Sequence, residues 1–111
     1  MAKLEPGGEP LHLTTTAQTA LTVPAGKIAV ITGAPVANVD GTNDVDVTLQ
    51  WTDASNSGLV TRLAFNVTVE AQDARSMLVE PVTLNEGDEL QALASANNAA
   101  ELTLSYYTED V

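Results

Sequence analysis

The stretch from Asp44 to Thr52 constrains this chain more than any other. Val45, Val47, Leu49 and Trp51, the sole tryptophan, alternate there with Asp44, Asp46, Thr48, Gln50 and Thr52. Successive side chains of a strand point to opposite faces, so this period of two gathers all four apolar residues on one side, whereas a helix would scatter them round its circumference. The stretch therefore predicts a strand with one face in a core and the other in water. Turn-forming residues bracket it, Asp40-Gly41-Thr42-Asn43 before and Asp53-Ala54-Ser55-Asn56-Ser57-Gly58 after.

The remaining segments read as partners of that strand. Leu11 to Thr16 alternates, and Leu21 to Val23 continues it before Pro24-Ala25-Gly26, where the proline implies a turn or an edge. Lys27 to Thr32 is apolar in both phases, Gly33 marks a bend or bulge, and Pro35 to Val39 resumes an extended course. Lys27 to Val39 is expected to pair antiparallel with Asp44 to Thr52. Leu59, Thr61, Leu63, Phe65, Val67 and Val69 fall at every second position, which predicts a long strand with one break at most. Glu70 to Ser76 reads as a loop, and Met77 to Leu84 as extended around Glu80-Pro81, with Pro81 at an edge. Asn85-Glu86-Gly87-Asp88 has turn chemistry and joins that segment to Glu89 to Ser95; Ala96 to Ala99 turns again, and Glu101 to Thr108 closes the domain. In the alanine-rich stretch Gln91 to Ala100, Ala92, Ala94 and Ala96 recur at every second position, which predicts tight sheet packing rather than a helix. The expected fold is all-β: a single antiparallel β-sandwich over residues 11–111, jelly-roll-like, of about eight short strands.

Residues 1–10 differ in kind. They hold Pro6, Gly7, Gly8 and Pro10 with two glutamates, a composition that favours an extended arm held by a neighbouring subunit rather than by its own chain.

A chain of 111 residues fits one domain and buries roughly 65% of its unfolded surface. Its net charge of −11 argues against phosphate backbones and anionic membrane faces as partners. The absence of cysteine removes both a disulfide framework and a thiolate metal site. No apolar run reaches the length of a membrane span and the first residues lack the apolar core of a signal peptide, so synthesis and retention in a cytosol are expected.

The residues offer little for catalysis. His12 is the sole histidine and has no second histidine or cysteine with which to share a transition metal or build a triad, so it reads as a sheet residue. Asp44 and Asp46 share a strand face, the placement a glycosidase's paired carboxylates need, yet such pairs are ordinary in so acidic a chain. Asp40, Asn43, Asp44 and Asp46 supply hard oxygens around a glycine turn that would suit Ca²⁺, without the spacing of an EF-hand loop. Asn66-Val67-Thr68 matches a glycosylation acceptor but falls in mid-strand. Trp51 takes the core phase, and Tyr106 and Tyr107 are expected to split, one buried and one exposed. Catalytic, cofactor and metal residues are therefore set at none.

The order of short motifs is informative in its own way. Leu21-Thr22-Val23-Pro24-Ala25-Gly26-Lys27, Val36-Ala37-Asn38, the Trp51 strand, Leu84-Asn85-Glu86-Gly87-Asp88-Glu89-Leu90, Ala94-Ser95-Ala96 and Ser105-Tyr106 follow one another over Leu21 to Tyr107. That succession resembles the small virion structural proteins of tailed bacteriophages. The resemblance implies a virion component: a capsid decoration or cement protein, a head-fibre protein, or a tail-associated one. It implies the major capsid protein and sister copies as partners, a trimer as the assembly state, and the capsid surface as location. Leu4, Pro6, Pro10, Pro24, Pro81 and Tyr107 are then the expected assembly contacts. The rival reading is a carbohydrate or receptor-binding module of a fibre or tail.

Overall fold

The computed structural model describes residues 4–111, with the side chains of Leu4, Glu5, Pro6 and Glu9 outside the description. Ten strands follow in order: β1 (Leu4–His12), β2 (Gln18–Thr22), β3 (Lys27–Gly33), β4 (Pro35–Asn38), β5 (Val45–Asp53), β6 (Leu59–Val69), β7 (Ala74–Ser76), β8 (Val82–Leu84), β9 (Glu89–Ala94) and β10 (Ala100–Asp110). All pairings are antiparallel.

One sheet runs β2-β9-β5-β6. In the other, β10 is flanked by β1 on one side and by β3 and then β4 on the other, with β8 beside β3 and β7 beside β4. Since β3 and β4 are one bent strand, and β7 and β8 lie along its far side, each sheet is four strands wide. Eight strands in these two orders make a jelly roll, the double-sheet form of an antiparallel sandwich. Pro35 sits at the bend, where a missing N–H breaks no regular ladder.

The core lies between the sheets. Val45, Val47 and Leu49 of β5 meet Ile31, Val36, Leu84, Leu102 and Leu104 from the facing sheet, all buried. Ala92 and Ala94 of β9 are buried too, as the alanine spacing predicts, whereas Ala96 lies past the end of β9 and is exposed. Burying these aliphatic side chains stabilises the sandwich by ~25 cal/mol for each Å² of apolar surface removed from water.

Four expectations are corrected. The described part of the expected arm, residues 4–10, is not left to a neighbouring subunit: with Leu11 and His12 it forms β1, which pairs with β10 from Leu4↔Glu109 to His12↔Glu101. Backbone pairing needs no apolar side chains, and Pro6 and Pro10, four residues apart, fit the phase of an edge strand whose N–H faces solvent; Met1 to Lys3 lie outside the described residues. Second, β3 and β4 do not pair with β5, because the Asp40 turn carries the chain across to the other sheet. The Asn85–Asp88 turn likewise crosses between sheets. Third, residues 74–76, read as loop, form β7 against β4. Fourth, the outer face of β5 is not uniformly wet: Thr48 and Gln50 are buried, Thr48 Oγ1 donating to Asn66 Oδ1 (3.2 Å) and Gln50 Nε2 to Gln91 Oε1 (3.0 Å).

Candidate functional site

The most elaborate polar arrangement among the described residues is the junction of β5 with the Asn85–Asp88 turn. Asp88 is fully buried, and its carboxylate accepts three hydrogen bonds, from Trp51 Nε1 (3.0 Å), Ala54 N (2.9 Å) and Asn85 N (2.9 Å). The turn forms because Gly87 takes a φ of 81°, open to glycine, so that Asp88 N donates to Asn85 O (3.0 Å). A buried carboxylate satisfied by three donors is a structural tie, binding the crossover turn to the end of β5. The Trp51 ring packs half-buried against the core and its N–H is engaged, so it is no free platform for a sugar.

The Asp40 loop commits its oxygens to its own chain. Asp40 Oδ1 accepts from Thr42 N (2.8 Å) and Asn43 N (3.1 Å), Asp44 Oδ1 from Ala71 N (3.1 Å), and Asp46 Oδ1 from Thr68 Oγ1 (2.6 Å). The Thr42 and Asn43 amides hold the Asp40 carboxyl below its ordinary 3.8. Each of these acids is engaged by a different donor, and among the described residues no group of three or more His, Cys, Asp or Glu is placed to hold a metal ion. His12 is exposed on β1, its Nδ1 3.8 Å from Glu101 Oε2 of the facing strand.

The expected assembly contacts fall into two groups. Leu4 and Pro6 pair in register with Glu109 and Tyr107, and the turn holding Pro24 lies at the same end of the sheet, where Val111 N donates to Gly26 O (3.0 Å). Pro10 lies toward the opposite end, opposite Thr103, and Pro81 is exposed ahead of β8. Tyr106 and Tyr107 do not split: both are half-buried, Tyr106 against the core.

Sequence reasoning missed a feature of β6. Between Gln50↔Arg62 and Val47↔Val67, β5 advances three residues while β6 advances five, so two extra residues are bulged into β6. The strict period over Leu59 to Val69 hides this, because both phases of that stretch contain apolar residues. Asn66 takes the left-handed conformation (φ 49°), and its N–H donates to Thr48 Oγ1 (3.0 Å). Phe65, placed in the core phase by its spacing, is instead turned outward and 64% exposed, with the Arg62 guanidinium 5.7 Å from its ring centroid. Asn66 therefore stands in a bulge, not mid-ladder.

No protein-family model matches the chain, and no curated protein sequence matches it significantly. Solved structures do share its fold. A subunit of Bacillus endospore appendages, described as disulfide-linked pili, matches at 13% identity with a TM-score of 0.59, over 99% of this chain and 88% of that one. The infectious bursal disease virus T13 particle matches at 8% identity and a TM-score of 0.56, over 98% of this chain but 31% of the viral one. A pentameric capsid protein from metagenomic phage sequences matches at 19% identity and a TM-score of 0.50, over 94% of this chain and 62% of that one. At such identities the likeness establishes the β-sandwich fold alone.

Proposed function

We propose that this chain is a non-enzymatic structural protein of a virion, and within that class a capsid decoration or cement protein that binds the outside of a phage head and stabilises contacts between shell subunits. The observation that carries this reading is that between 94% and 99% of the chain superposes on subunits of assembled structures, two of them capsids. A jelly roll suits such a role, because two packed sheets give a stiff body whose edges and end loops are free to contact neighbours. The partners are the major capsid protein and sister copies, arranged as a trimer at the capsid surface after synthesis in the host cytoplasm. The end of the sheet holding Leu4, Pro6, Tyr107 and the Pro24 turn supplies one contact, and Pro10 and Pro81 supply others. The net charge of −11 turns the remaining surface toward solvent and away from nucleic acid.

The test is the copy number of the chain in purified particles from its source, by quantitative mass spectrometry against the major shell protein. A ratio near that of the shell protein supports decoration. A much lower ratio moves the chain to a neck, fibre or tail site, and absence from particles overturns the virion reading.

A second reading, a subunit of a protein filament, draws on the match to 88% of the spore-appendage chain. Having no cysteine, this chain would have to join by non-covalent contacts. The carbohydrate-binding alternative is weakened by the engaged, half-buried Trp51.

A further inference from the structure

We infer that the outer face of the β5–β6 ribbon is a two-fold contact through which this chain binds a second copy of itself. The contact stands independently of the virion reading.

Isolated exposed apolar residues are ordinary on protein surfaces. Phe65 differs because its exposure is built. Turning it outward takes the bulge in β6 and a left-handed Asn66, a conformation that costs a non-glycine residue on the order of 1 kcal/mol. Thr48, buried beneath, fixes the bulge by bonding both the Asn66 N–H and its side-chain oxygen. Arg62 then lies against the ring. An aromatic and an arginine side by side are the residue types in which interface energy concentrates.

The charge pattern identifies the occupant. From Ser55 to Val69 the sequence has no acidic residue, although the chain carries fifteen. Along the outer face of the ribbon, Arg62 lies beside Gln50, the Phe65–Asn66 bulge beside Thr48, and Thr68 beside Asp46. The order is cation, aromatic ring, carboxylate, at steps of about 7 Å given the rise of a strand. A two-fold axis through the Phe65 row reverses that order in the second copy. Phe65 then meets Phe65, and each Arg62 comes opposite the other copy's Thr68–Asp46 row, giving two opposite-charge pairs beside the central rings, with the acidic Asp44 and Glu89 lying one row further out. Such self-complementarity is what an isologous interface requires. Asp46 keeps acceptor capacity beyond its bond from Thr68.

Sedimentation analysis of the full chain tests the contact. The wild type is expected to form a species whose population depends on concentration. Phe65→Ser and Arg62→Asp should each raise its dissociation constant by about tenfold or more, with melting by circular dichroism confirming that both variants fold. Asp46→Arg should weaken it similarly, and combining Arg62→Asp with Asp46→Arg should restore association to within about threefold of wild type. Should Asp46→Arg fail to fold, Asp46→Asn, which keeps an acceptor for Thr68, reads the same pair and should also weaken association. A wild type that stays monomeric, association indifferent to Phe65 and Arg62, or a charge swap that fails to restore it would each overturn the inference. Copy number in particles is a separate quantity, so the two readings can fail separately.

Discussion

The ring of Tyr106 occupies the space that a side chain at residue 7 would need: a Cβ built on Gly7 would lie 2.6 Å from Tyr106 Cε2 and 2.7 Å from its Oη. The two residues face each other across the β1–β10 ladder. An aromatic laid over a glycine on the neighbouring strand gives an edge strand apolar cover that its own residues do not supply. Gly7→Ala is therefore expected to destabilise the fold by about 2 kcal/mol through overpacking. At Gly8 the nearest atom is Leu104 O at 3.6 Å, an ordinary contact, so Gly8→Ala should be nearly neutral. Chemical denaturation of both variants checks this, and equal effects would refute the role given to Tyr106.

Asp88 should be the polar residue whose loss is felt most. Removing its carboxylate strands the Trp51 indole N–H and the amides of Ala54 and Asn85 at a buried position. Asp88→Ala is expected to cost about 3 kcal/mol, as unpaired buried donors do. Asp88→Asn keeps the shape but points an amide donor toward one of three donors, and should recover only part of the loss. Trp51 fluorescence reports the change directly: its emission should shift to the red in Asp88→Ala as the turn loosens.

At Asn66, backbone conformation and hydrogen bonding make separate demands that two substitutions can divide. Asn66→Gly accepts the left-handed φ but loses the oxygen that Thr48 Oγ1 donates to; a loss within about 1 kcal/mol is expected. Asn66→Val loses the same oxygen and adds a β-branched side chain where φ is positive, and should cost about 2 kcal/mol. Thermal unfolding in parallel distinguishes them, and a valine variant as stable as the glycine variant would show that the backbone there carries no strain.

Local pattern carried the position and inner face of β5, and non-local pairing lay beyond it. The alternation of Val45, Val47 and Leu49 places them in the core, as observed, because burial of one strand face depends only on the order of side chains. Which strand lies beside which depends on where the turns send the chain. The Asp40 and Asn85 turns look like hairpins in sequence, yet both cross between sheets. Residues 4–12 mislead in the opposite sense, since backbone hydrogen bonds to β10 leave little trace in side-chain composition. Phe65 misleads because a bulge resets the phase without changing the apolar spacing. Asp88 carried a signal in the demand of Trp51 Nε1 for a partner, though nothing local singles out which acid meets it.

The Asp40 loop yields a prediction about pH. The amides of Thr42 and Asn43 donate to the charged form of Asp40, so its pKa in the folded chain lies below the ordinary 3.8. For a depressed carboxylate the sign is fixed: the folded state binds that proton less readily than the unfolded state, so the contribution is complete above the unfolded pKa and is lost as pH falls through the folded one. Asp40 is half-buried at the surface and its two donors belong to its own turn, which keeps the effect local. Titration by NMR should show the Thr42 and Asn43 amide shifts moving together, with a midpoint below 3.8. In Asp40→Asn both should stay flat through that range while the amides of Ala71 and Thr68 are unaffected. A wild-type midpoint at or above the ordinary value would mean that these two hydrogen bonds do not hold the carboxylate in solution.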